Sequence, residues 1–189
     1  MRNILERTVE RTADRLATRY YGKYRGVVTD IDDPDTRCRI KAKVPAVLHE
    51  AESYWAMPVL PFAGDGHGFV MLPKVGAGVW IEFEAGDLSR PIWSGGFFGS
   101  GQRPSPDGNR ARVIVSDTGH KIVLDDDGGE VKVEHSAGAS LTMSATEIVL
   151  SLGACELKIS PTEISLNQGM VKVTVAGVSL VNDAMKLGV

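Results

Sequence analysis

From Val113 to Leu180 the chain places aliphatic residues at alternate positions in short runs, and separates the runs by small, turn-forming residues. The runs occupy residues 113–115, 121–124, 131–133, 141–143, 147–152, 156–159, 163–166, 171–175 and 178–180. Between them lie Asp117-Thr-Gly119, Asp127-Gly-Gly129, Ala137-Gly-Ala139, Gly153-Ala154, Ser160-Pro161, Asn167-Gln-Gly169 and Ala176-Gly177. Period-two alternation bounded by Gly, Pro, Asn and Ser predicts β-strands. Their return roughly every eight residues is the repeat signature of a β-solenoid rather than of a sandwich.

Parity within the runs assigns the two faces. Ile122, Leu124, Val131, Val133, Leu141, Met143, Ile148, Leu150, Leu157, Ile159, Ile164, Leu166, Val171 and Val173 take one side. Lys121, Asp125, Lys132, Glu134, Glu156, Lys158 and Lys172 take the other. One side of each strand is therefore dry and the other wet. No dry residue in these runs is aromatic, because every Phe, Trp and Tyr of the chain lies between Tyr20 and Phe98. A ladder with so few, slim inward side chains cannot close a core around itself and needs further copies. The pattern predicts a homotrimer, three chains wound about one axis with the fourteen dry residues facing it.

Upstream, the period changes. Residues 1–20 read as an amphipathic helix whose apolar stripe is Leu5, Val9, Leu16 and Tyr20. Arg7, Arg11, Arg15 and Arg19 recur every four residues beside that stripe. Two readings stand: a docking surface for an acidic partner, built from Leu5, Arg7, Val9, Arg11, Arg15 and Leu16, or a solvated face paired with Glu10 or Asp14. Residues 21–98 carry six strand candidates, at 21–31, 38–44, 54–61, 68–72, 78–83 and 92–97, with aromatic inward positions. Strands of this number and size predict a small barrel of the OB type. Trp80 and Phe83 fall on opposite faces of one strand; Asp87 and Arg90 flank a turn; Phe97-Phe98 either closes the barrel or contacts a neighbouring subunit. Residues 99–112 have linker composition, which leaves 113–189 as shaft and tip.

Composition narrows the function classes. At 189 residues, 24% of them charged, with a mean hydropathy of -0.05, the chain reads as a soluble protein without a membrane-spanning run. Its opening residues mix charges and lack the apolar core of a secretion signal, so the expected site of synthesis is the cytoplasm. Cys38 and Cys155 keep step with neighbouring apolar residues and read as buried free thiols. From Val113 onward five Lys face ten Asp and Glu, so the ladder is acidic and nucleic acid is not an expected partner. The competing reading from another class is an OB barrel offering Tyr21, Tyr24 and Trp55 to single-stranded nucleic acid, which requires a positive groove. Neither a nucleophile elbow nor a phosphate loop occurs. Asp125-Asp-Asp127 lies in a turn and lacks calcium-loop spacing, so it reads as hydrated loop charge. His120 follows the parity of Ile122 and His135 that of Val133; threefold symmetry would multiply either into three ligands, but satisfied or solvated histidines are the reading adopted. The chain is read as a non-enzyme without metal or other cofactor.

An ordered series of motifs carries a family resemblance. It runs Gly26-Val-Val28, Asp33-Pro34, Cys38-Arg-Ile-Lys-Ala-Lys-Val-Pro45, Ser53-Tyr-Trp-Ala56 and Gly66-His-Gly-Phe-Val-Met-Leu-Pro73. It continues through Gly76-Ala-Gly-Val-Trp-Ile-Glu-Phe-Glu-Ala-Gly-Asp87, Arg90-Pro-Ile-Trp-Ser-Gly-Gly96 and Ser116-Asp-Thr-Gly-His-Lys-Ile-Val-Leu-Asp125. The series resembles the contractile-tail spike family, comprising phage baseplate assembly protein V and the spike domains of type VI secretion and tailocins. The resemblance implies a mainly β fold: an N-terminal helix, an OB barrel, then a triple-stranded intertwined β-helix in a homotrimer. It implies a central spike of the virion tail baseplate, or of a phage-tail-like injection particle, that attaches to a tail hub protein ring. Sheath contraction would drive it through the target cell envelope. Some relatives insert a peptidoglycan-cutting domain between barrel and shaft, which residues 99–112 are too few to hold. Some end in a His-x-His pair that binds iron, whereas this chain ends Asn182-Asp-Ala-Met-Lys-Leu-Gly-Val189. Either a separate tip cap protein sharpens the needle, or Met185, Leu187 and Val189 form an apolar plug.

Overall fold

The structure, a computed structural model, describes residues 4–181 and 184–188. The chain divides into two units, Met1–Gln102 and Arg103–Val189. The first opens with helix α1 (Ile4–Ala17), in which the Thr8 and Thr12 hydroxyls donate back to the carbonyls of Ile4 and Thr8 at 2.9 and 2.8 Å. Beyond the helix the chain is fastened to a tight turn at residues 84–86. The Tyr20 amide donates to the Gly86 carbonyl at 3.0 Å, and Arg19 pairs with Asp87 at 3.5 Å. Gly86 has φ +75, and a Cβ there would lie 2.9 Å from that of Arg19, so glycine is required twice over.

Seven strands follow in this unit: β1 (Tyr24–Asp30), β2 (Lys41–Lys43), β3 (Met57–Pro58), β4 (Ala63–Gly64), β5 (His67–Gly68), β6 (Gly78–Phe83) and β7 (Pro91–Gly96), with a short helix α2 (Pro45–Leu48) after β2. Five of them form one sheet in the order β2-β1-β6-β7-β3, in which β3 runs parallel to β7. Strict alternation along β6 turns Val79, Ile81 and Phe83 into the core, where they meet Val28, Ile40, Ala42, Val44, Val47, Ala56 and Trp93. Trp93 also satisfies its indole N–H on the Cys38 carbonyl at 3.1 Å. Trp80 points to the opposite face and stacks with Phe97 at 5.2 Å, while Phe83 meets Tyr20 and Tyr24.

One polar clamp holds the loop between β1 and β2. Arg39 donates to Asp33 Oδ1 through Nε (3.0 Å) and Nη2 (2.5 Å), and Nη2 also reaches Asp35 at 2.6 Å. Three backbone amides, of Asp35, Arg37 and Arg39, donate to the same Asp33 carboxylate. The Arg39 guanidinium, assisted by those amides, holds the Asp33 carboxyl well below its ordinary value of 3.8.

Several expectations for this unit are corrected. Of the expected strand at 68–72 only Gly68 lies in a strand, the His67–Gly68 strand that pairs with Ala63–Gly64; the Phe69 amide adds one bond to the Phe62 carbonyl at 3.1 Å, and residues 69–72 belong to no strand. Their apolar run has strand composition, but the hairpin ladder stops at the Phe69 amide. The expected strand at 38–44 shortens to Lys41–Lys43 because Cys38 turns through φ 60. Asp87 and Arg90 do not pair with each other: Asp87 meets Arg19, and Arg90 meets Glu84 at 2.7 Å. Phe98 stands exposed, whereas Phe97 lies on Trp80.

The second unit is a ten-stranded antiparallel meander: β8 (Ala111–Val115), β9 (Lys121–Asp125), β10 (Glu130–Glu134), β11 (Ser140–Met143), β12 (Ile148–Leu152), β13 (Cys155–Ile159), β14 (Glu163–Leu166), β15 (Val171–Thr174), β16 (Gly177–Leu180) and β17 (Met185–Gly188). Each strand pairs with the next. Pairing takes in Ala111 and Arg112, which composition assigns to the linker. On one edge, every turn opens with a side chain that accepts an amide ahead of it: Asp125 from Asp127 and Gly128, Ser144 from Thr146 and Glu147, Ser160 from Glu163, Thr174 from Ala176. Such turns fix hairpin register without a large loop.

Two measurements follow. Asp33→Asn should lower the melting temperature of the first unit at neutral pH. The folded carboxyl titrates below the unfolded one, so its contribution is complete above 3.8 and disappears as pH falls. The gap between wild type and variant in thermal melts should therefore stay constant near neutrality and close in acid. In the β14–β15 turn, Gln168 adopts φ 58 without being glycine. Gln168→Gly should stabilise the second unit by a few tenths to about 1 kcal/mol, read from its denaturant midpoint.

Candidate functional site

Registry across the meander lines up the dry positions. One column runs Ile114, Ile122, Val133, Leu141, Leu150, Leu157, Leu166, Val171, Leu180, Met185. A second runs Leu124, Val131, Met143, Ile148, Ile159, Ile164, Val173, Val178, Leu187. All fourteen residues expected on the dry side lie in these two columns. Ile114, Val178 and Leu180 extend them, and the same parity would have identified them. Among the described residues nothing covers this face: Met143 is 37% exposed, Leu150 52% and Leu187 62%. Val131, Leu141, Leu157 and Val171 are half-buried by their neighbours on the sheet.

The charged face is the better shielded one. Lys132 meets Glu130 and Lys158 meets Glu147, each at 2.5 Å. Their hydrogen bonds to these glutamates raise both lysines above the ordinary ammonium range. Long side chains lie across the strands here, and beneath them Val123 and Ser165 are buried. In this single chain, charge thus covers backbone while aliphatic surface stands open, an arrangement that marks an interaction face.

A third cross-strand position on the open face holds ring nitrogens and sulfur. His120 and His135 extend the β9–β10 ladder and lie with ring centroids 4.3 Å apart. Each Nδ1 accepts a backbone amide, from Ser136 at 3.3 Å and from Ala137 at 3.0 Å. Both Nδ1 lone pairs are thereby engaged by backbone amides. Further along, Cys155 pairs opposite Leu152 and is exposed, not buried as expected, because its face has no cover from its own chain. Cys38 is half-buried. The Asp125–Asp127 turn is drawn into ion pairs, Asp126 with Arg112 and Asp127 with Arg110 at 3.4 Å.

The other expected site residues fall elsewhere. On α1, Arg7, Val9 and Arg11 are exposed; the side chains of Leu5, Arg15 and Leu16 lie outside the described residues. At the far end Met185 and Leu187 are exposed on the apolar columns, and Val189 lies outside the described residues. For single-stranded nucleic acid the barrel is poorly equipped. Tyr24 packs on Phe83 and donates its hydroxyl to the Tyr21 carbonyl. Trp55 is flanked by Arg39 and Lys41, whose charges are met by Asp33, Asp35 and Asp30. Among the described residues no helix is long and apolar enough to cross a membrane.

A self-closed small barrel followed by a one-faced antiparallel ladder defines a structural β protein with an interaction face. Residues 24–98 match the type VI secretion system/phage-baseplate injector OB domain, and residues 112–180 match the phage baseplate V C-terminal trimerisation domain. The chain belongs to the phage baseplate V family, whose members have a structural role in the baseplate spike. No curated protein matches it.

Proposed function

We propose that three copies of this chain join their apolar sheet faces to form the shaft of a central spike. Sheath contraction drives that shaft through the envelope of a target cell. The observation that carries the reading is the pair of aliphatic columns, in register from β9 to β17 and open among the described residues. Three such faces give a dry interior of slim side chains, and the paired lysines and glutamates become the exterior. Stiffness comes from a continuous backbone ladder whose short turns are capped by their own side chains. The membership of residues 112–180 in a trimerisation domain supports the number three.

In this reading the helix α1 and the barrel fasten the trimer to a hub ring, with the exposed Arg7 and Arg11 facing acidic surface on that ring. Met185 and Leu187, together with Val189, either close the tip as an apolar plug or seat a separate cap protein. The task is mechanical, so no catalytic group is assigned.

Replacing the cross-strand pair by Leu150→Asp and Leu157→Asp should abolish the trimer in light scattering. Burial of a leucine contributes about 1.5–3 kcal/mol, lost here at two positions in each of three chains. Val149→Asp, one residue away on the charged face beside Lys158, should leave the mass at three chains. A wild-type protein that is a stable single chain would sink the reading. The acidic exterior limits adhesion to anionic envelope surfaces. Neutral residues at Lys121, Glu134, Glu147 and Glu156 should therefore preserve the trimer and reduce puncturing in an envelope-permeability assay; unchanged puncturing removes that role from the exterior charge.

A further inference from the structure

The barrel unit carries an apolar protrusion and an apolar recess, and its own fold leaves both uncovered. The protrusion is the β4–β5 hairpin and the segment after it. Residues 61–70 are all exposed, and Phe62 (57%), Phe69, Val70 (63%), Met71 and Leu72 offer large apolar side chains to solvent. The recess, of about 550 Å³, is walled by Pro73, Ala77, Phe97 and Phe98 over a floor of Gly78 and Gly96. It exists because those glycines have no side chains. A Cβ on Gly78 would stand 2.7 Å from the Phe97 ring, so any other residue there would push the ring into the space.

We propose that the hairpin of one protomer seats in the recess of the next, closing the three barrels into a collar. This rests on the trimer reading above and assigns the surfaces by which its barrels meet. Three observations choose a second copy as the occupant. First, residues 70–72 have strand composition yet belong to no strand: the hairpin ladder stops at the Phe69 amide, which donates to the Phe62 carbonyl at 3.1 Å, and the pattern of the next three residues calls for a further partner. Second, the charges match: Asp65 lies at the hairpin tip and Lys74 at the recess rim, both exposed. Third, protrusion and recess are different patches of one chain, which makes the contact heterologous; such a contact closes only as a ring. A trimerisation domain in the same chain supplies that ring and turns barrel docking into an intramolecular step at roughly millimolar effective concentration.

The test uses the full-length chain with Cys38→Ser and Cys155→Ser, carrying Val70→Cys on the hairpin and Phe98→Cys on the recess rim. After mild oxidation, denaturing non-reducing electrophoresis should show a covalent species of three chain masses that collapses on reduction. A link within single chains, or none while light scattering still reports a trimer, overturns the collar and leaves the shaft intact. Single chains in light scattering before oxidation overturn both. As a second readout without engineered cysteines, amides of residues 70–72 in the wild-type trimer should exchange at least about tenfold more slowly than in a Phe62→Ser, Phe69→Ser variant. Equal exchange in the two proteins also overturns the collar.

Discussion

A β-strand presents its side chains alternately to two faces, and here strands β9 to β17 spend one face on mostly aliphatic residues that no other described residue covers. The rest of the second unit answers to that constraint. Register must hold across every hairpin, since a slip of one residue would move each apolar column to the charged side. The turns are accordingly short and closed by their own Asp, Ser and Thr oxygens. Strand side chains on the open face stay slim and aliphatic along both columns, which suits a narrow shared interior. The opposite face uses lysine and glutamate in pairs, whose stems shelter the strands while their heads stay wet.

The barrel solves the same problem within one chain. Aromatic side chains, excluded from the meander, supply the bulk: Phe83 and Trp93 fill the core with Val and Ile, and Tyr20 and Tyr24 close its margin. The loop that makes this closure possible is held by one carboxylate, Asp33, which accepts from a guanidinium and three amides. A self-sufficient barrel can serve as a rigid mount for a ladder that is not self-sufficient, and the family to which the chain belongs joins these two modules.

Much of this was legible in the residues. Period two located nine of the ten meander strands and gave the face of all fourteen dry residues; β17 lies in the stretch read as a tip. Where the reading failed, the cause was a contact that sequence spacing does not encode. The run at 69–72 looks like a strand because composition records the preference of a segment but not whether an edge awaits it. Asp87 and Arg90 flank one turn, yet each finds a different partner, because Arg19 and Glu84 arrive from outside the pair. Cys155 shares parity with Leu157, which fixes its face but not its cover.

By itself, then, the sequence determined the β character of the chain, the change from aromatic to aliphatic side chains along it, and which side of each meander strand is aliphatic, because all three follow from local periodicity and side-chain size. Only the tertiary structure decided that the dry positions join into two continuous columns, that His120 meets His135 with both Nδ1 atoms engaged by backbone amides, and that the barrel keeps a hairpin and a recess uncovered. Those depend on registry between strands and on glycines that leave space, and neither is written in the spacing of residues along one segment.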